Sequence, residues 1–215
     1  MNDKKALEDT VLSSLDLPEG EASSALPEDL FLIPLNRRPF FPGMAAPLII
    51  EKGKFYDLLK QLSKSQQKFV GLVLTRKEDI DLGKANFPDL YKVGVLARIL
   101  RIIPMEQGGA QIVLNIEKRF TIKKKIKHED FLKAKVKFHE DPPLGSKELK
   151  AYSISIINTI KELLKLNPLF KEELQVFLTH SDFTDPGKLA DFSAALTTGS
   201  REELQEILET FDIKK

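Results

Sequence analysis

The chain has 215 residues, 42% of them hydrophobic and 30% charged, which is enough apolar material for one large or two small buried cores. It contains no cysteine, so disulfides, thiol nucleophiles and cysteine-ligated metals are all excluded. The net charge of +1 conceals an asymmetry, because residues 1–29 hold eight acids against two lysines, a net of −6 that leaves the rest at +7.

Residues 1–27 mix Ser, Glu, Asp, Ala and Gly with scattered leucines, too little apolar surface to offset chain entropy, so a flexible acidic tail is expected. It has neither the apolar core of a signal peptide nor the arginine-rich, acid-poor character of a transit peptide. No apolar run approaches the roughly 20 residues of a membrane-spanning helix, and a cytoplasmic protein without membrane contact is expected.

Residues 28–141 read as a β-rich domain. LFLIPL (Leu30 to Leu35) is a predicted strand, and PLII is a second one after the proline-framed turn Arg37 to Gly43. Phe55, Leu58, Leu59 and Leu62 then fall at i, i+3, i+4 and i+7, which predicts a helix over 53–65. FVGLVLT (Phe69 to Thr75) is apolar throughout and reads as a central strand covered on both faces. Gly94 to Ile103 and Ala110 to Ile116 are strands around a hairpin that uses Gly108 and Gly109. In LKAKVKFH, Leu132, Ala134, Val136 and Phe138 alternate with Lys133, Lys135, Lys137 and His139, the pattern of an edge strand with a solvated face.

Residues 142–146 hold Pro142, Pro143 and Gly145 and form a predicted linker. Residues 147–215 read as a small helical bundle. One amphipathic helix runs to Leu166. A second starts at Asn167-Pro168 and carries Phe170, Leu174, Phe177 and Leu178. A third starts at Asp185-Pro186 and carries Leu189, Phe192 and Leu196. The fourth is opened by Ser200 with Glu203 and carries Leu204, Ile207, Leu208 and Phe211.

Chemistry-bearing patterns are absent. His128, His139 and His180 lie far apart, so no histidine metal site is expected. The pairs Gly53-Lys54, Gly83-Lys84 and Gly187-Lys188 lack the rest of a phosphate-binding loop, and there is no G-x-S-x-G elbow or Ser-Lys pair, which argues against a small hydrolase. Residues 92–137 hold twelve Lys or Arg against four acids. A nucleic-acid footprint is one reading of that stretch, but Phe120 and Phe131 are the sole aromatics nearby and a solvated strand face explains the alternation. Phe40, Phe41 and Met44, set among Pro39, Pro42 and Gly43, are candidates for an exposed apolar polypeptide-binding patch, with Tyr91 and Met105 at other strand ends as its extension.

Several strings, in order, resemble the amino-terminal region of the Lon family of ATP-dependent proteases: IPLNRRPFFPGMAAPLII from Ile33, FVGLVLTRKED from Phe69, LYKVGVLARILRI from Leu90, QIVLNIEKRFTI from Gln111 and LADFSAALTTGSREELQEILETFDIKK from Leu189. Ile116 stands where the family often has glycine before the arginine matching Arg119, and none of these strings lies in the acidic tail. The resemblance implies an α+β fold, a PUA-like β pseudo-barrel with one packed helix followed by a small helical bundle. It further implies a region that captures unfolded, tagged or damaged proteins for a hexameric ATPase ring. ATP, magnesium and the serine peptidase chemistry then belong to modules outside this chain, which itself is expected to bind no cofactor. LETFDIKK falls where the family's connecting helix begins, so part of a longer protein is expected rather than a stand-alone adaptor. A PUA-like RNA-binding module is the remaining alternative.

Overall fold

The computed structural model describes residues 26–65, 67–140, 147–166 and 185–213. Its first element, β1 (Asp29–Leu35), is buried at every position after Asp29, so both of its faces are covered. Five more strands and one helix follow before residue 139: β2 (Ala45–Ile50), α1 (Lys54–Lys64), β3 (Phe69–Leu74), β4 (Val93–Pro104), β5 (Ala110–Ile126) and β6 (Lys133–Phe138). They form one sheet in the order β2-β5-β4-β3-β1-β6, and an additional β5–β6 pairing closes it.

The closure depends on the length of β5, whose 17 residues exceed what any one partner can cover. Residues 110–115 pair with β2, 110–121 with β4 and 120–126 with β6. Five strands thus make a ring, a β pseudo-barrel, while β2 hangs on β5 with its other edge open among the described residues. β1 and β3 are the parallel pair, with Leu32 opposite Gly71 and Leu35 opposite Leu74. Helix α1 buries Leu58, Leu59 and Leu62, the stripe its spacing predicts.

Phe120 fills the interior. It is fully buried among Leu30, Leu32, Phe69, Val73, Leu96 and Val136. Two glycines make room for it: a Cβ on Gly71 would come within 2.8 Å of the Phe120 ring, and one on Gly94 would come within 2.4 Å of the Leu72 carbonyl oxygen. In the β4–β5 hairpin Gly108 and Gly109 have φ of +86° and +89°, and a Cβ on Gly109 would strike the Ile50 carbonyl oxygen at 2.4 Å. The predicted strand ending at Ile116 in fact continues for ten more residues. Its second half, FTIKKKI, carries lysines that hide the β pattern until β6 is there to pair with it.

The edge-strand reading of LKAKVKFH is corrected. β6 pairs with both β1 and β5, so its backbone groups are satisfied on two sides and only the lysine face meets water.

The chain divides after His139 into two units. In the second, α2 (Lys147–Leu166), α3 (Pro186–Leu196) and α4 (Arg201–Glu209) are helical. Ile160 of α2 packs with Leu189 and Phe192 of α3. Asp185 caps α3, accepting from the Gly187 and Lys188 N–H groups, and Ser200 with Glu203 forms a reciprocal capping box on α4. Leu204 and Leu208 are buried, whereas Leu196, Ile207 and Phe211, expected on the packed faces, are exposed. The predicted tail, the linker 142–146, the helix opening at Asn167-Pro168 and His180 lie outside the described residues.

Candidate functional site

The proline-framed turn splits its three large apolar residues. Phe40 and Met44 are half-buried, but Phe41 is 1% exposed and ranks among the largest fully buried side chains. Phe41 is therefore removed from the candidate patch: of two adjacent rings in a turn, the chain folds one inward to seal the core, where burial is worth most. Met44 is held through its carbonyl, which accepts from the Ile116 N–H, and Gly43 donates to the Ile116 carbonyl.

Tyr91 and Met105 are also half-buried. Tyr91 lies after the β3 end, its ring covered by the Arg76 guanidinium at 4.9 Å. Met105 sits in the β4–β5 hairpin, donating to and accepting from Gly109 and Gly108. Met44 precedes β2 and the hairpin lies beyond its last residue, so six residues of strand, about 20 Å, separate the two methionines. One continuous rim does not join all the candidates.

A different apolar surface runs between those ends. Opposite residues on paired strands share a face, and the register places Ile49 of β2, Gln111 of β5 and Ile103 of β4 in one row, with Pro47, Val113 and Arg101 in the next. Ile49 is 63% exposed, Ile103 41% and Leu100, in the β4 bulge, 37%. They turn outward from the face that buries Ile112, Leu114 and Ile116. The Met44–Ile116 hydrogen bond sets the ladder parity, so Ala45, Pro47 and Ile49 point their backbone groups at the open edge. Pro47, lacking an N–H, stands where it breaks no ladder bond. Beyond this row, Arg98 pairs with Glu117 and lies over the Phe69 ring.

The strand readings of PLII and of Gly94 to Ile103 assign no face to their residues, so the outward row is not among the candidates taken from the sequence. The available signal was arithmetic. Consecutive apolar residues in a strand face opposite ways, so an edge strand carrying Leu48, Ile49 and Ile50 must turn one of them to solvent.

Elsewhere on the outward face, the β5–β6 ladder is basic. Thr121, Lys124 and Ile126 of β5 stand opposite Lys137, Lys135 and Lys133 of β6, and the bulge after Ile122 adds Lys123. Glu28 reaches Lys135 at 2.7 Å, which lowers the Glu28 pKa and raises that of Lys135 through their hydrogen bond and mutual attraction. The His139 ring lies 2.7 Å from the Thr121 hydroxyl. Burial, then the charges of Lys137, Lys123 and Arg119, hold its pKa below the ordinary imidazole value. Among the described residues no group of three or more His, Cys, Asp or Glu is placed to hold a metal ion. No described helix is long and apolar enough to cross a membrane.

A closed mixed sheet followed by helices is the architecture of solved Lon amino-terminal domains. The N terminal domain of Mycobacterium avium complex Lon protease superimposes with a TM-score of 0.64 at 20% identity, over 86% of this chain and 92% of that one. A Lon N-terminal domain protein from Xanthomonas campestris gives 0.60 at 15% identity, over the same shares of the two chains. At the level of sequence, residues 29–215 match the family model of the ATP-dependent protease La (LON) substrate-binding domain, and the chain belongs to that family. It is 62% identical over 214 residues to the Lon protease of Protochlamydia amoebophila, covering 100% of this chain and 25% of the relative. With the Lon protease of Chlamydia pneumoniae it shares 64% over 185 residues, 86% of this chain and 22% of the relative. The chain thus spans about a quarter of the length of these curated relatives.

Proposed function

We propose that this chain is the part of a cytoplasmic, hexameric Lon-type protease that captures unfolded or damaged polypeptide, while ATP and magnesium binding and serine peptidase chemistry reside in other modules. The family's substrate-binding description and the chain's quarter share of its relatives support the division of labour. The observation that carries the capture role is the outward pair Ile49 and Ile103, with Leu100 in the neighbouring bulge, beside the edge of β2 that is open among the described residues. Exposed apolar groups in a row mark an interaction surface, and an open strand edge offers unpaired backbone groups to an extended chain. Both features are indifferent to side-chain identity in the partner, as recognition of unfolded protein requires. Half-buried Phe40 and Met44 extend the apolar surface past the start of β2.

The test is binding of a permanently unfolded model protein to the chain and to Ile49→Asp with Ile103→Asp. The exposed fractions, 63% and 41%, amount to about one isoleucine side chain, whose burial contributes about 1.5–3 kcal/mol, so affinity should fall about tenfold or more. Binding by one module should be micromolar or weaker, since a ring adds avidity. It should change little between about 50 and 200 mM salt, because apolar burial is not screened. Unchanged affinity in the double variant would remove the apolar row from the capture site.

A further inference from the structure

The open edge of β2 fixes what kind of chain can lie along it. Ala45, Pro47 and Ile49 alternate with the residues bonded to β5, so their backbone groups face away from the sheet, and among the described residues no hydrogen bond reaches them. Each of the three offers a carbonyl acceptor, but only Ala45 and Ile49 offer an N–H, because Pro47 has none. Strand edges in folded proteins are usually blunted by charged side chains, above all lysine. AAPLII carries no charge, in contrast with Lys133, Lys135 and Lys137 on β6, a strand whose two edges are both paired. Pro47 is the one blunting residue within β2.

An antiparallel guest strand sets one residue opposite each of Ile49, Pro47 and Ala45. The guest residues opposite Ile49 and Ala45 can each exchange a pair of hydrogen bonds, whereas the one opposite Pro47 donates its N–H and leaves its carbonyl to water. Directly opposed residues share a face, so the guest side chain opposite Ile49 lies against an isoleucine that is 63% exposed. The intervening guest residues fall beside Ala46 and half-buried Leu48 on the other face. A second copy of this chain fits less well. Two β2 edges paired about a two-fold axis at Pro47 bring the prolines opposite each other with neither able to donate, so both bonds are lost there where a foreign strand loses one. The strip is also small: its six residues, about 20 Å long and about 10 Å deep, give roughly 200 Å², against about 800 Å² per partner in a stable dimer.

Resting on the capture reading above, we propose that β2 takes its polypeptide as an added strand, and that Pro47 makes the site select extended foreign segments, proline-free and apolar at alternate positions, over a second copy of the chain. The backbone bonds read no side chain, which suits a site that accepts many sequences, and Ile49 supplies the preference for an apolar residue on the outward side of the guest. A proline at an edge-facing position of the guest removes one of its donors, so such segments are disfavoured. Pro47 points its backbone away from the β2–β5 ladder, and its effect on binding is therefore separable from its effect on folding.

The test uses a short peptide of alternating valine and threonine with charged ends, together with two N-methylated forms of it. Valines laid beside Ile49 direct their N–H groups at β2, so methylating the valine nitrogens should weaken binding at least about tenfold, while methylating the threonine nitrogens should change it less than about threefold. Amide exchange at Ala45 and Ile49 should slow when the peptide or a permanently unfolded model protein is bound, and exchange at Ala46, Leu48 and Ile50, already bonded to β5, should not change. Pro47→Ala restores a donor and should tighten peptide binding by about two- to tenfold with the fold intact. Equal affinity of the two methylated peptides, unchanged affinity in Pro47→Ala, or unslowed exchange at Ala45 and Ile49 while unfolded protein still binds would overturn strand addition and leave capture to apolar contact alone. Failure of the unfolded protein to bind at all would remove the capture reading and this proposal with it. Slowing of the same two amides in the unliganded chain, growing with its concentration, would put a second copy on the edge and overturn the proposal too.

Discussion

Replacing Phe41 and Phe40 by alanine, one at a time, separates a core ring from a surface ring two atoms of backbone away. Phe41 is 1% exposed, so Phe41→Ala removes a full aromatic side chain from a closed site and leaves a cavity. Such truncations destabilise by about 3–5 kcal/mol. Phe40 is half-buried, and its loss removes about half as much apolar area with no enclosed cavity, about 1–2 kcal/mol. At roughly 4 °C per kcal/mol the midpoint should fall by about 12–20 °C for Phe41→Ala and by about 4–8 °C for Phe40→Ala. Urea unfolding followed by far-ultraviolet circular dichroism supplies the free energies, and the thermal midpoint is an independent check. Binding of an unfolded protein should show the opposite ranking, with Phe40→Ala weakening it and Phe41→Ala acting only through the folded fraction. Equal stability losses for the two variants, or a loss below about 1 kcal/mol for Phe41→Ala, would refute the division of the turn into a buried and an accessible ring.

Gly94→Ala should destabilise by about 2 kcal/mol or more in the same unfolding assay, because the added Cβ meets the Leu72 carbonyl oxygen at 2.4 Å and the Phe120 ring at 3.1 Å, and neither can withdraw from the barrel interior. In the helical unit, Ser200→Ala should cost about 1 kcal/mol of local stability, read as faster amide exchange across α4, since the Glu203 N–H loses its acceptor. The Ser200 backbone and hydroxyl hold the Glu203 pKa down, so the capping box adds stability above the ordinary carboxylate range and loses it as pH falls through the lowered value. His139 behaves in the reverse chemical sense with the same pH direction. Its neutral form is favoured in the folded chain, so stability is unaffected above the ordinary imidazole value and declines as pH falls from there through the lowered one. Lys123→Gln with Lys137→Gln should raise the His139 pKa part of the way, burial remaining; an NMR titration with no upward shift would contradict the assigned cause.

The local grammar of the chain was enough for most elements of the β unit. The i, i+3, i+4, i+7 apolar spacing predicted α1, the Gly108-Gly109 pair predicted the hairpin, and Ser200 with Glu203 predicted the start of α4. Each is written in a few neighbouring residues, where backbone preference and capping act without help from the rest of the chain. The ordered strings from Ile33 to Lys215 likewise carried the family and its α+β class, because they record a whole succession of such local signals. What the sequence could not settle depended on partners distant along the chain. β5 was read too short because FTIKKKI becomes a strand only once β6 pairs with it, and β6 was read as an edge because its two neighbours are invisible from its own alternation. The candidate site divided for the same reason. Phe40 and Phe41 are chemically identical, and only the closing of the barrel decides which ring is inside. Ile49 and Ile103 became a surface row when the register set them on either side of Gln111, a fact of pairing that no single strand contains.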